Sequence, residues 1–144
     1  MCLCLYGLAM NETSFPSMRV DGQVALVTGA GRGIGRGCAL ALANAGAEVI
    51  VMSRTAAELD EVVTDIRNND GVARAVACDV SDSASVKSEI SKISNLDILV
   101  NNAGVSRASS LVNLTEEDLD TLLQVNCRGA VLVAQAAAKI MMPQ

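Results

Sequence analysis

Val24-Ala25-Leu26-Val27-Thr28-Gly29-Ala30-Gly31-Arg32-Gly33-Ile34-Gly35 is the stretch on which the reading of this chain turns. Its first four residues form a short, unbroken apolar run without polar alternation, which predicts a strand buried on both faces. Four glycines follow between positions 29 and 35. Glycine reaches backbone angles that other residues avoid and lets another group approach the main chain closely. Ile34, Cys38, Ala41, Leu42 and Ala45 then recur at helical spacing as far as Gly46, predicting a helix with those residues inward. Strand, glycine turn and helix in this order bring free N–H groups and the positive end of the helix dipole to the turn, an arrangement suited to phosphate.

Outward from this stretch the same alternation repeats. Val49-Ile50-Val51-Met52 is a second buried strand. Thr55-Ala56-Ala57-Glu58 has the pattern of a capping box and opens a helix with Leu59, Val62, Val63 and Ile66 inward. Asn69-Asp70-Gly71 is the exit turn, and Val72 to Cys78 a third strand. Asp82 or Ser83 caps a helix carrying Val86, Ile90 and Ile93. Leu96 to Val100 is a fourth strand, and Thr115-Glu116-Glu117-Asp118 caps a long helix to about Met141. Such alternation gives the α/β class: parallel strands, right-handed crossovers and helices on both faces. Ligands of such sheets sit at the carboxyl ends of the strands, where the chain order reverses.

Composition narrows the chemistry. The chain has 144 residues, 51 % of them apolar, enough for one domain with its own core. With one Phe, one Tyr and no Trp, that core is aliphatic. There is no histidine, which removes Ser-His-Asp and Cys-His catalysis and histidine metal ligation. No cysteine pair has zinc spacing, so no metal site is expected. A net charge of −5 argues against partnership with nucleic acid or an anionic membrane surface. Five irregularly spaced cysteines make a poor disulfide framework and read as thiols of a reducing, cytoplasmic compartment. Residues 1–18 are expected to be a poorly ordered extension, apolar at first but without the basic start of a signal peptide, and residues 19–144 the domain.

Thr28-Gly29-x-x-x-Gly33-x-Gly35 departs from the G-x-G-x-x-G spacing of the wider dinucleotide fold, and no P-loop Gly-Lys-Ser/Thr follows. It resembles the cofactor motif of the short-chain dehydrogenase/reductase family. Asn101-Asn102-Ala103-Gly104 resembles that family's Asn-Asn-Ala-Gly motif, Asp79-Val80 its adenine-contacting pair, and Asn126 its active-site Asn. The resemblance runs from about Arg19 to Pro143. It implies a Rossmann-type doubly wound sheet of strand order 3-2-1-4, and hydride transfer between a nicotinamide cofactor and a small-molecule carbonyl or alcohol. The cofactor would lie on Gly29, Ala30, Gly31, Arg32, Gly33, Ile34 and Gly35, with Asp79 accepting from the adenine amino group beside the Val80 backbone. Asn102, Ala103 and Gly104 would line the nicotinamide ribose side.

The second strand ends in Ser53-Arg54, where an Asp or Glu would bond the ribose 2′-hydroxyl of NAD and repel a 2′-phosphate. Arg54 offers a planar charged fork for that phosphate, Arg32 could face it from the other side, and NADP(H) is expected over NAD(H). Asn126 falls on the apolar stripe of Leu119, Leu122, Leu123, Ala130, Val133, Ala134 and Ala137, so a buried amide with a specific task is expected there. In the family that Asn holds a water in a proton relay to a catalytic Lys; bonding to neighbouring backbone is the plainer alternative.

The family's Ser and Tyr-x-x-x-Lys have no match in these 144 residues, and Tyr6 precedes the first strand. The chain thus reads as an amino-terminal portion, truncated before a fifth strand, with little activity alone and an aggregation-prone open sheet edge. The alternatives are a catalytically dead truncated isoform that binds nucleotide or a partner, and a product of faulty gene prediction. Homo-oligomers would form through the 115–141 helix, as the resemblance implies. Sugar and other carbonyl reductases and acyl-carrier-protein ketoreductases of the family share the motifs of this region, so the substrate stays open.

Overall fold

The computed structural model describes residues 17–107 and 110–142. Most of the expected amino-terminal extension lies outside them. Four parallel strands, β1 (Val24–Thr28), β2 (Glu48–Ser53), β3 (Val72–Ala77) and β4 (Ile98–Val100), form one sheet in the order β3-β2-β1-β4, as expected. Helices α1 (Gly33–Asn44), α2 (Ala56–Asn68) and α3 (Ser83–Ile90) link them, and α4 (Glu116–Leu122) and α5 (Ala130–Met141) follow β4. A 3₁₀ turn, Leu111–Asn113, precedes α4.

Successive residues of the central strands feed opposite faces. Ala25, Val27, Val49 and Val51 pack with α1 and α2, whereas Leu26, Ile50 and Met52 pack with α3 and α5. All seven are fully buried. The start of β1 is tied to the residue before β4, where the Val24 amide donates to the Asp97 carboxylate at 2.8 Å. Asp82 caps α3 as expected, accepting from the Ala84 amide at 2.9 Å. The inward residues of α2 are those the spacing predicts, Leu59, Val62, Val63 and Ile66.

Four expectations change. First, Ile34 is 79 % exposed and Ala41 is exposed; α1 turns Gly35, Ala39 and Ala43 inward. Small residues at a spacing of four let the helix axis approach the sheet closely, and this outweighs the bulk of Ile34 at the helix mouth. Second, no capping box forms at α2. Thr55 holds the N-cap position, but its side chain caps nothing and its amide instead donates to Ser53 Oγ at 3.3 Å. Third, β4 is shorter than Leu96 to Val100, beginning at Ile98.

Fourth, the long helix is not a continuous α-helix. Thr115 caps it, accepting from the Asp118 amide at 3.1 Å, but a π-helical segment, Leu123–Gly129, separates α4 from α5. A π turn holds more residues than an α turn, which rotates the register after it. Val125, Gly129, Val133 and Ala137 therefore face the core, Leu119 and Leu123 are left exposed, and Asn126 leaves the stripe for the exposed side.

Two glycines of α1 separate packing from propensity. A Cβ at Gly35 would lie 2.2 Å from the Gly29 carbonyl oxygen, whereas one at Gly37 would meet nothing within 4 Å. Gly37→Ala is expected to raise stability by about 0.5–1 kcal/mol. Gly35→Ala is expected to lower it by about 1–3 kcal/mol despite the same gain in helix propensity. Urea midpoints moving in opposite directions check this.

Candidate functional site

The carboxyl ends of β1 and β4 are tied together by Thr28. Its side chain is fully buried, and its hydroxyl oxygen accepts from the Asn102 and Ala103 amides, each at 3.0 Å. In return the Asn102 amide group donates to the carbonyls of Thr28 at 3.0 Å and Gly29 at 3.3 Å. The two chains approach so closely that a Cβ at Gly29 would lie 2.9 Å from Ala103 Cα, and Gly29 has φ +64°. Both facts require glycine there. The Ala30 amide donates to the Met52 carbonyl at 3.2 Å, fastening the turn to β2.

The turn then enters α1 without a side-chain cap: Arg32 is the N-cap residue, in extended backbone. The first amides of the helix have no intrahelical acceptor and remain available to an anion. A Cβ at Gly33 would meet nothing within 4 Å, so the space before the helix start is open. Beside it lies a cleft of about 700 Å³, its mouth included, lined by Gly29, Gly31, Arg32, Ser53, Arg54, Asp79, Val80, Ala103 and Gly104. Thr55, Glu58, Cys78, Val105 and Val125 complete its wall.

Asp79 forms the end of the cleft beyond β3. One carboxylate oxygen accepts from the Ser81 amide at 2.9 Å and the Ser81 hydroxyl at 2.7 Å; the other lies 3.9 Å from Arg54. Desolvation pushes this carboxyl up, but the two Ser81 bonds, with help from Arg54, outweigh it and hold the group below the ordinary Asp value. Burial pushes the neighbouring Cys78 thiol up, against the opposing bond from the Ser85 hydroxyl, which keeps it protonated and unreactive.

The π-helical segment braces both walls. The Ser81 carbonyl accepts from Gln124 at 3.0 Å and Arg128 at 3.1 Å, on the Asp79 side. A Cβ at Gly129 would lie 2.9 Å from the Val80 carbonyl oxygen, so the helix lies directly against the Asp79-Val80 turn. On the opposite wall Asn126 makes a reciprocal pair with Val105: its oxygen accepts from the Val105 amide at 2.8 Å, and its nitrogen donates to the Val105 carbonyl at 2.8 Å. The plainer expectation for this residue, an amide bonded to neighbouring backbone, describes its contacts.

Of the residues singled out in the sequence, nine line the cleft. Ala30 is buried beneath it, Gly35 is buried in α1, and Gly33 and Ile34 are exposed at the helix start. Asn102 holds the turn from behind, and Asn126 sits behind Val105. The sequence reading missed Thr28 as the fastener and Glu58 as a cleft residue. The signal for Thr28 was a hydroxyl at the end of a strand buried on both faces, where it must find partners. Among the described residues no group of three or more acidic or thiol side chains could hold a metal, and no helix is long and apolar enough to cross a membrane.

Two outcomes follow from this geometry. Because the folded Asp79 value is depressed, the stability it contributes is present above the ordinary carboxylate value and lost as pH falls through the folded one. Asp79→Asn should flatten the acid limb of stability against pH, measured by urea unfolding at stepped pH. Asn126→Ala should speed hydrogen exchange of the Val105 amide at least about tenfold, the loss of roughly 1.4 kcal/mol of local protection; an unchanged rate would mean that the pair does not hold the loop.

The geometry has close counterparts. The family profile described as short chain dehydrogenase matches residues 23–144. Among curated relatives, a 3-oxoacyl-[acyl-carrier-protein] reductase of Synechocystis sp. is 43 % identical over 129 residues, 85 % of this chain and 51 % of the relative. An L-xylulose reductase of Mus musculus is 42 % identical over 118 residues, 82 % of this chain and 47 % of the relative. Among solved structures, a metagenomic short-chain oxidoreductase in complex with NADP superposes with TM-score 0.82 at 35 % identity, covering 86 % of this chain and 58 % of that one. A gluconate 5-dehydrogenase from Burkholderia cenocepacia, in complex with NADP and tartrate, gives 0.82 at 36 % identity, covering 88 % and 51 %. The chain spans about half the length of the curated relatives it matches. With the family's profile matched along most of its length, and its Gly-rich turn, Asp-Val pair and Asn-Asn-Ala-Gly loop gathered at one end of the sheet, this chain belongs to the short-chain dehydrogenase family.

Proposed function

We propose that the chain is the cofactor-binding part of an oxidoreductase that works on a small carbonyl or alcohol substrate, with NADP(H) preferred over NAD(H). The observation that carries this reading is the uncapped start of α1 beside Arg32 and Arg54, with no acidic residue ending β2. The turn amides and the open space before Gly33 suit a diphosphate. Arg54 is 64 % exposed along its side chain and, among the described residues, pairs with no carboxylate nearer than Asp79 at 3.9 Å, so its guanidinium can meet a phosphate. The metagenomic oxidoreductase and the gluconate 5-dehydrogenase were solved in complex with NADP, which agrees with this reading. In the bound state the nicotinamide would supply the hydride. Asp79 would receive the adenine amino group on the carboxylate oxygen that Ser81 leaves unused, with Val80 beside it. Ala103 and Gly104 would form the ribose wall.

Asn126 enters this reading as a positioning residue: both ends of its amide are engaged by Val105, so it acts on the site by fixing that wall. The domain is taken as residues 19–144, its start marked by the Val20 amide donating to the Ala45 carbonyl at 2.9 Å. The few, irregularly spaced cysteines support a cytoplasmic setting. Leu119, Leu123 and Val131 lie exposed along the 115–141 helix and support pairing of copies there.

A second reading rests on one observation: the 144 residues hold no Tyr-x-x-x-Lys, so by themselves they would bind nucleotide without performing the reaction. Joining them to a carboxyl-terminal half bearing those residues, and assaying carbonyl-dependent NADPH oxidation, separates the two.

Arg54→Asp tests the cofactor assignment. The unmutated chain is expected to bind NADPH at least about tenfold more tightly than NADH, and the variant to reverse that order, as read by nicotinamide fluorescence titration. Equal affinity of the unmutated chain for both would reject the preference.

A further inference from the structure

Besides Asp79 the cleft holds a second carboxylate, Glu58, on the side of its arginines. Glu58 stands in the first turn of α2 and lines the cleft beside Arg32, Ser53 and Arg54. Its side chain folds over the glycine turn: a Cβ on Gly31 would lie 2.6 Å from Glu58 Oε2, and 3.3 Å from Ser53 Oγ. The carboxylate therefore sits between the phosphate-gripping turn and the end of β2. Among the described residues no arginine or lysine comes within 4.0 Å of it; Arg54 has Asp79 as its carboxylate neighbour instead. Nor does the Thr55 amide donate to it as in a capping box, since that amide donates to Ser53 Oγ at 3.3 Å. A half-buried carboxylate with no cation among the described residues within 4.0 Å, in a cleft that also holds Arg32 and Arg54, has a charge whose effect on a ligand is direct.

We propose that Glu58 is a specificity-determining residue, a counterweight to Arg32 and Arg54 at the ribose 2′ position. This rests on the nucleotide reading above. A ribose spanning from the turn to the Asp79 end of the cleft would pass Gly31, Ser53 and Glu58. For a 2′-hydroxyl, Glu58 would accept its hydrogen bond, taking over from the first turn of α2 the task of the acid missing at the end of β2. For a 2′-phosphate, the same charge would repel. The arginines still set the direction of preference, and Glu58 limits its size, so the site admits both cofactors with a narrower margin than two arginines alone would give.

The adenosine end lies wholly on residues present here, so the test uses fragments that differ only in the 2′-phosphate: 2′,5′-ADP and 5′-AMP, titrated calorimetrically into the full chain and its Glu58→Gln variant. The variant should bind 2′,5′-ADP about tenfold more tightly and 5′-AMP no more tightly than the unmutated chain, raising the ratio of the two affinities at least about tenfold. Glu58→Asp, which withdraws the carboxylate by one methylene, should give an intermediate ratio and stands in if the Gln variant does not fold. A ratio unchanged within about twofold, with both fragments still binding, overturns the role of Glu58 and leaves the nucleotide site intact. Failure of the unmutated chain to bind either fragment overturns both.

Discussion

One buried hydroxyl organises the functional end of this sheet. Thr28 ends β1 in a position closed to water, where its oxygen must find donors inside the protein. It finds them in the two amides that follow β4, and the Asn102 side chain returns two bonds to the backbone around Thr28. Polar groups that would each be costly to bury alone thus satisfy one another. The exchange sets how near the glycine turn lies to the Asn-Asn-Ala-Gly loop, and hence the width of the cleft between them. Asn101 extends the link outward by donating to the Ala130 carbonyl at 2.8 Å, tying the same loop to the start of α5.

The long helix is the second frame. Its π-helical segment is one short stretch whose side chains reach opposite walls: Gln124 and Arg128 hold the Ser81 carbonyl, and Asn126 holds Val105. Continued back as a uniform α-helix, the face set by Val133 and Ala137 would carry Asn126, seven residues before Val133. The wider turn instead puts Val125 and Gly129 toward the sheet and swings Asn126 out to the loop. Local irregularity is here the means by which one element braces two sides of a site.

How much of this could be read from the residues alone differs by element. The strands were legible because Val24 to Val27 and Val49 to Met52 are apolar without interruption, and only a two-sided burial calls for that. The strand order and the meeting of the motifs at one sheet end followed from alternation and the family resemblance. The inward face of α1 was not legible, because hydrophobic size points to Ile34 whereas close helix–sheet contact selects Gly35, Ala39 and Ala43. The rotation at the π turn was not legible either: periodicity assumes 3.6 residues throughout, so Val133 and Ala137 beyond the wide turn are inward as expected, whereas Leu119, Leu123 and Asn126 before and within it fall off that face. Glu58 was hidden in the opposite way. Its spacing from Thr55 fits a capping box so well that a local partner was expected, whereas the Thr55 amide turns to Ser53 and the carboxylate faces the cleft.

Because neighbouring residues of β1 and β2 belong to different layers, the two halves of the interior share their walls atom by atom. Neither layer can loosen while the other stays packed, since the backbone that carries Val27 into one carries Leu26 into the other. Melting should accordingly proceed as a single all-or-none event across the sheet. A one-residue slip anywhere along the middle strands would turn both interiors inside out at once, which ties the permissible sequence of these strands to their length as tightly as to their composition.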